Sequence, residues 1–533
     1  MRKTLDRPAG DRDSRWIVKL ARRTLGLLAA AILVAAACWF WWPRTFRGTD
    51  LLPATTSIYV QIPNVAATTA HWAQTQAAVI TKSSEDTAVR ETSGLMTKRW
   101  SSLFETVRHG AVELAGGEVF IALTGLQTTP RIVPQLAVGI QVGHHGPQAQ
   151  QWLDQLKRQL KRDFPASSFS DERYFQTGYQ RWQLEPGLEI CAATLGDKLI
   201  FTLCAAPMMD ILDRYRDSSR ATLSGSGSFL AACARLPKQA DWRMAVQTES
   251  LKGTLDPFLQ WMPQLQALAA PLAQLDAIGA AQVFDGGQVR DVLTVAHKAP
   301  PSQPRRGFKS ALLERLPASC IAGAMADVTA ADVYSLVNQA TLTLGNRDWM
   351  KAQLLFEAGW SAQQINFTRD VLGMLDTPTA VALDWPSGQR RLAVLFGAPL
   401  REPERLAAIM RRFDGAPQPP PMRWRVVNGW LWLSFSEESL ERVSRTANGS
   451  APGWQMTPQG PASPTADSGW LWFVADTGRF AMTPDNAVAK PLLIAVTSRH
   501  GRFDETLAVS PFGSIVSAWL AIEAANQQAV VKK

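Results

Sequence analysis

The hydrophobic pattern of the chain falls into two regimes. Leu25 to Trp42 is an eighteen-residue run without a charged side chain, and everything after it alternates short apolar stretches with polar ones. A helix of that length, at about 1.5 Å per residue, just crosses a hydrocarbon core of about 30 Å. Its end, Trp39-Phe40-Trp41-Trp42, carries aromatic rings of the kind that favour a headgroup boundary. The run therefore predicts a single N-terminal transmembrane helix over 25–42.

Beyond it, period-2 and period-3.6 patterns interleave. Ser57 to Ile62 reads as a strand and Asn64 as the cap of a following helix. Strands are predicted at Glu118 to Leu123 and Gln135 to Val142. Helices are predicted over Thr97 to Ala115 and Gln148 to Phe164, the latter with Leu153, Leu156, Leu160 and Phe164 on one side. Tyr179 to Leu184 reads as a strand, followed by a hairpin that turns at Gly196-Asp197. Ser224 to Ser228 reads as a flexible linker, and the Pro- and Arg-rich 298–312 as a domain linker.

After that linker the blocks recur in order. Leu316-Pro317-Ala318 repeats Leu52-Pro53-Ala54, and Leu392-Ala393-Val394 repeats Leu136-Ala137-Val138. The hairpin at Asn428-Gly429 repeats the one at Gly196-Asp197, Trp470 to Asp476 answers Trp242 to Thr248, and Leu507 answers Leu293. The expected fold class is α+β: a transmembrane helix followed by two tandem copies of an antiparallel-rich sheet with helices. The expected divisions are a basic tail 1–24, the crossing 25–42, a first copy 50–297, the linker, a shorter second copy 313–510, and a C-terminal helix and tail 511–533.

Charge fixes a direction. The flank before the crossing carries eight Lys and Arg against three Asp. The positive-inside rule then puts the N-terminus in the cytoplasm and the bulk of the chain across the membrane, in the periplasm of a bacterium with the crossing in its inner membrane. A cleaved lipoprotein signal ending at Ala35-Ala36-Ala37, with Cys38 as the lipidated residue, is the alternative; the long basic flank and the aromatic end weigh against it. Charge also removes a partner class. Residues 1–47 hold ten of the 55 Lys and Arg and three of the 46 Asp and Glu, which leaves 45 against 43 in the rest. A near-neutral domain exerts no long-range pull on phosphate, so no nucleic-acid partner is expected.

Candidate chemistry is sparse. Five cysteines in 533 residues make no disulfide scaffold. Cys191 and Cys204 flank the Gly196-Asp197 turn; a two-residue turn puts Cys191 opposite Thr202, a bulged one would put the two cysteines face to face, and two buried free thiols are expected. No nucleophile elbow, zinc-ligand spacing or phosphate-binding loop is present, so no catalytic residue, metal site or cofactor is predicted. His144-His145 occupy a Gly-His-His-Gly-Pro turn without a spaced third ligand.

The strings Gly429-Trp430-Leu431-Trp432-Leu433 and Gly469-Trp470-Leu471-Trp472-Phe473 supply the one candidate ligand site, Trp430, Trp432, Trp470 and Trp472 as stacking platforms. A strand apolar on both faces is also what a central, twice-covered strand looks like, and core packing is the favoured reading.

The Leu52-Pro53-Ala54 opening, the strand Ile58-Tyr59-Val60-Gln61-Ile62-Pro63 and the block Gly117-Glu118-Val119-Phe120-Ile121-Ala122-Leu123 resemble uncharacterised bacterial membrane-anchored envelope proteins with a duplicated domain of unknown function. In the second copy Ala324 or Met325 stands at the tyrosine position. The resemblance implies no activity. The expected function is non-enzymatic: an anchored periplasmic protein that binds or scaffolds another envelope protein. The alternatives are a lipid- or glycan-binding module using a groove between the copies, and an unrecognised envelope hydrolase.

Overall fold

The structure, a computed structural model, describes residues 46–510 apart from internal segments, of which 79–113, 260–271, 454–468 and 477–491 are the longest. The strands, in chain order, are β1 (Ile58–Ile62), β2 (Val119–Gln127), β3 (Val133–Gln141), β4 (Ser168–Tyr174), β5 (Thr177–Glu185), β6 (Leu188–Leu195), β7 (Lys198–Leu203), β8 (Trp242–Gln247), β9 (Leu275–Asp285) and β10 (Gln288–His297). The second half adds β11 (Cys320–Ala326), β12 (Thr379–Asp384), β13 (Ala393–Pro399), β14 (Arg423–Val427), β15 (Trp430–Ser434), β16 (Leu471–Asp476), β17 (Leu492–His500) and β18 (Phe503–Ser510). The helices used below are α1 (Val65–Ala73), α2 (Gly146–Asp163), α3 (Ala205–Arg216), α4 (Gly227–Cys233), α5 (Thr248–Leu259), α6 (Ala330–Leu344), α7 (Arg347–Ser361), α8 (Pro403–Met410) and α9 (Glu437–Ala447).

All 18 strands belong to one sheet. Its spatial order is β4-β5-β6-β7-β3-β2-β1-β8-β9-β10-β18-β17-β16-β11-β12-β13-β15-β14, every pair antiparallel. Read outward from the β10–β18 seam, the two sides follow the same plan. Next come two more strands of the same half, then the half's first strand, then its second and third, then the hairpin β6–β7 or β14–β15. The first half continues with one more hairpin, β4–β5.

Two expectations are corrected here. The halves do not form two separate sheet-plus-helices domains; β10 and β18 pair over eight positions and merge them into one sheet. Nor does the structure support a transmembrane or signal-anchor helix: among the described residues no helix is long and apolar enough to cross a membrane. Leu25 to Trp42 lies outside the described residues, and the inner-membrane, periplasmic placement that rested on it is withdrawn. The expected helix 97–115 apart from Leu114, the C-terminal helix and tail 511–533 and the His144-His145 turn lie outside them too.

Helices cover both sheet faces. On one face of the first half, α3 and α4 bury Met208, Ile211, Leu212, Phe229 and Ala232 against Tyr59, Phe120 and Ile200. On the other, α2 lays Trp152, Leu153, Leu156 and Leu160 on Ile140, Trp182 and Leu199. Those positions recur at the three-to-four spacing of one helical face, and the helix ends before Pro165, where a preceding residue resists the helical region. In the second half α9 takes the place of α3, burying Leu440 and Val443 with Trp430 and Trp432. It is capped by Ser436, whose hydroxyl accepts from Ser439 N at 3.2 Å, with Glu437 and Glu438 in the first turn. α6, α7 and α8 cover the opposite face around Trp360, Phe367, Leu431 and Leu433.

Ser224 to Ser228 is not a linker. Leu223 is fully buried, Ser226 bonds Gln247, Ser228 donates to Asp276 at 2.6 Å, and α4 starts at Gly227.

Candidate functional site

Ladder registers allow residues of the two halves to be equated. The turn-closing pairs Leu195↔Lys198 and Val427↔Trp430 match Lys198 with Trp430, and the pairs Tyr59↔Ala122 and Gly323↔Ala382 match Tyr59 with Gly323. Thus the tyrosine position falls on Gly323 rather than on Ala324 or Met325, and the Leu316 side chain fills the space above it.

These equivalences explain the tryptophans. In the first half the place of Trp430 is held by Lys198, fully buried, whose Nζ lies 2.6 Å from Glu118 Oε2. Glu118 also accepts from Tyr59 Oη at 3.1 Å and Gln61 Nε2 at 2.8 Å, while its own N–H donates to Gln141 Oε1 at 3.1 Å. Burial, and next the Glu118 carboxylate, drive the Tyr59 hydroxyl well above its ordinary value.

The second half has no such network at the matching positions. Trp430 and Trp432 stack there at 5.7 Å with a 19° tilt, both buried, and Arg315 lies 5.0 Å from the Trp430 ring. Trp472 is buried in the same core and donates to Phe308 O at 3.0 Å. Trp470 is half-buried, with Arg305 and Arg499 5.4 and 5.6 Å from its ring. Three of the four tryptophans thus offer no open face to a ligand. The sequence strings matched because the core needs apolar bulk at alternate positions, not because a platform is formed.

Metal and acid–base chemistry find little support. No group of three or more His, Cys, Asp or Glu with metal-holding geometry occurs among the described residues. Cys191, Cys204 and Cys233 are free thiols, and Cys191 lies opposite Thr202 in the β6–β7 ladder. A cavity of about 330 Å³ opens beside β4, β5 and β6, lined by Gln150, Glu172, Arg173, Tyr179 and Thr194 among others. Its polar pair is Tyr179 Oη donating to Glu172 at 2.5 Å. That bond lowers the glutamate, while burial and then Glu172 raise the tyrosine. The pair is thereby locked as carboxylate and phenol, and neither member is poised to take or give a proton at neutral pH.

What remains is a surface. In the second half a set of large apolar side chains is left open to solvent around the outer end of the sheet: Leu336 on α6, Leu354 and Leu355 on α7 at 68% and 75% exposure, Phe435 at 67% just past β15, and Trp424 and Val426 on β14 at 36% and 42%. Phe356 joins them, its ring 6.5 Å from Phe435 and 4.8 Å from the buried Phe367. Tyr334 fixes α6 to α7, donating to Glu357 at 3.0 Å, and burial, more than Glu357, pushes its hydroxyl up to about 12. In the first half the same place is roofed. Leu203, the counterpart of Phe435, is half-buried opposite Ile190, and Ala192, the counterpart of Trp424, is buried in the core under α2 with Gln180 of β5 paired beside it. Exposed apolar groups that adjoin one another mark an interaction site, and the Phe356–Phe435 contact brings α7 against the end of β15. Sequence reasoning missed it because exposure depends on which strands become neighbours: β5 lies beside β6, whereas among the described residues β14 pairs with β15 alone.

No protein-family model matches the chain, and no curated protein matches it. Among solved structures the chain is similar to crystal form III of TP0453 at 10% identity and a TM-score of 0.28, covering 49% of this chain and 84% of that one. Crystal form IV gives 10% identity and a TM-score of 0.27 over 47% and 81%, and form I gives 9% and 0.26 over 47% and 79%. Likeness at this level carries no argument about fold or function.

Proposed function

We propose that the protein is a non-catalytic binding or scaffolding protein that holds a protein partner against the open end of its sheet. The observation behind this reading is the exposure of Leu354, Leu355 and Phe435, with the Phe356 ring joining α7 to Phe435. Burying such side chains is worth roughly 1.5–3 kcal/mol each, enough for a few of them to anchor an interface. A hydrophobic contact needs no catalytic group, which agrees with a cavity whose titratable pair is self-satisfied.

The test is affinity isolation of the full-length chain and of Leu354→Glu/Leu355→Glu from the native host. A stoichiometric protein held by the wild type and lost by a variant of unchanged melting temperature supports the reading. Retention by the variant moves the interface elsewhere, and isolation of the wild-type chain alone overturns the proposal.

A further inference from the structure

We propose that strand β14 is a receiving edge, onto which the protein partner adds an extended strand of its own. This rests on the reading that the chain binds a protein, and it specifies how. Strand β14 pairs only with β15 among the described residues, through a two-residue turn. Asn428 and Gly429, with φ of 49° and 75°, give that turn its type I′ form, in which the flanking residues exchange both hydrogen bonds. Val427, Arg425 and Arg423 therefore bond to β15, and the N–H and C=O groups of Val426 and Trp424 point outward. The same two residues are the exposed apolar ones.

The first half shows what such an edge takes. Its equivalent strand, β6, is covered by β5, with Gln180 opposite Ala192 and Trp182 opposite Ile190. In the second half, the sequence between Phe413 at the end of the α8 region and β14 offers only 414–422, nine residues of which four are proline, where the first half has the two strands β4 and β5. Proline has no N–H for a ladder. The opposite end of the sheet is different in kind. Strand β4 carries Ser168, Ser170, Asp171, Glu172 and Arg173, the polar and charged composition that discourages strand addition. Among the described residues only β14 pairs an open backbone with open apolar side chains.

Charge states the occupant's other face. Arg425 is neutralised by Glu437, 2.7 Å away, and by Glu441, whereas Arg423 on the same face is exposed and bonded by neither. The fitting strand alternates apolar residues over Trp424 and Val426 with an acidic residue over Arg423, and belongs to another protein. A second copy of this chain would bring its own β14 and set Arg423 and Arg425 near their like.

The probe is a synthetic seven-residue peptide alternating valine with glutamate and threonine, added to the full chain and followed by amide hydrogen exchange. Protection of Trp424 and Val426, absent with a peptide of the same composition in blocked order, is the expected result. Val426→Pro removes one outward donor and no internal bond, so it should weaken the peptide about tenfold, the worth of one hydrogen bond; Val426→Lys serves as a second edge variant should the proline perturb folding. No protection at millimolar peptide, or protection unchanged in both variants, overturns the proposal. A dimer of the free chain that either variant dissociates overturns it in favour of a second copy. Loss of a native partner with Leu354→Glu/Leu355→Glu but not with Val426→Pro sinks strand addition and leaves the binding function standing. Peptide capture without any native partner does the reverse.

Discussion

Val292 of β10 lies directly opposite Leu507 of β18, and the two residues hold the same place in their own hairpins. The turn-closing pairs Asp285↔Gln288 and His500↔Phe503 equate them. The pair therefore sits on a local pseudo-twofold axis, and the β10–β18 ladder binds like to like. Since β18 is hydrogen-bonded on both sides, by β10 and β17, a proline there must lose a ladder bond. Leu507→Pro should cost about 3 kcal/mol or more. We expect the native chain to unfold in a single denaturant transition and Leu507→Pro in two, each with a smaller slope than the parent's. Urea unfolding followed by circular dichroism checks this; one transition of unchanged slope would show that the halves do not depend on the seam.

Acid should loosen the same seam. Asp504 on β18 receives Arg499 Nε and Nη2 at 2.7 Å each and lies 2.9 Å from His297 Nε2 on β10. Burial would raise its carboxyl, but the bonds from Arg499 and His297 outweigh burial and hold it below its ordinary 3.8. A carboxyl lowered on folding stabilises the fold above its unfolded value and ceases to do so as pH falls through its folded one. Stability should thus drop below about pH 4 by this route. Asp504→Asn should lose about 2 kcal/mol at neutral pH and show a shallower acid limb. Melting temperatures between pH 7 and 2 would decide it, and parallel curves for the two proteins would count against the assignment.

How much of this was legible in the sequence follows from the range of each interaction. Strands and their turns were legible: Asn428-Gly429 and Gly196-Asp197 are two-residue turn signals flanked by alternating residues, and both close the hairpins expected. The repeated blocks were found in the right order but with slips. Ala137 corresponds to Leu395 rather than Ala393, and Val292 rather than Leu293 corresponds to Leu507, because short apolar words can slide where ladder bonds cannot. The seam, the Glu118–Lys198 pair 80 residues apart in sequence and the exposure of Phe435 were not legible at all. Each depends on which strands become neighbours. Composition also misled at Ser224 to Ser228, where Ser and Gly suggested mobility and buried partners hold the segment instead.

The buried pair Lys198–Glu118 should be costly to halve and cheap to replace. Removing one partner strands the other charge in the core, at about 3–5 kcal/mol, whereas apolar substitution of both is often neutral. The second half already carries an apolar solution, with Trp430 at the lysine position and Pro378 at that of Glu118. Lys198→Met should therefore destabilise by several kcal/mol, and Lys198→Met/Glu118→Leu should recover most of the loss. Chemical denaturation of the three proteins tests the coupling; a double variant no better than the single would mean that Tyr59 and Gln61 need the carboxylate more than the lysine does.

Thiol reactivity offers a check on the core. Burial, followed by the nearby Glu189 carboxylate, pushes the Cys191 thiol up to about 12, and burial raises Cys204 and Cys233 as well. The thiolate is the nucleophile, so these three should resist iodoacetamide at pH 8 and react fully only in denaturant. Peptide mass spectrometry after timed labelling reads each cysteine separately. Fast native labelling of Cys191 would contradict the placement of β6.

Gly139 on β3 and Gly397 on β13 are equivalent, each making room for an aromatic ring, but from different strands. A methyl at Gly139 would lie 2.1 Å from Phe120 of β2, and one at Gly397 would lie 2.5 Å from Trp432 of β15. Neither ring has an empty side to retreat to, Phe120 being closed in by Tyr59 at 5.8 Å and Trp432 by Trp430 at 5.7 Å. Gly139→Ala and Gly397→Ala should each cost about 1–3 kcal/mol by overpacking. They should differ in signature: only Gly397→Ala forces the stacked tryptophans apart, so it alone should change the near-ultraviolet circular dichroism in the tryptophan region. Equal spectra with unequal stability would mean that the stack tolerates the methyl group and that the strain falls on the backbone of β13 instead.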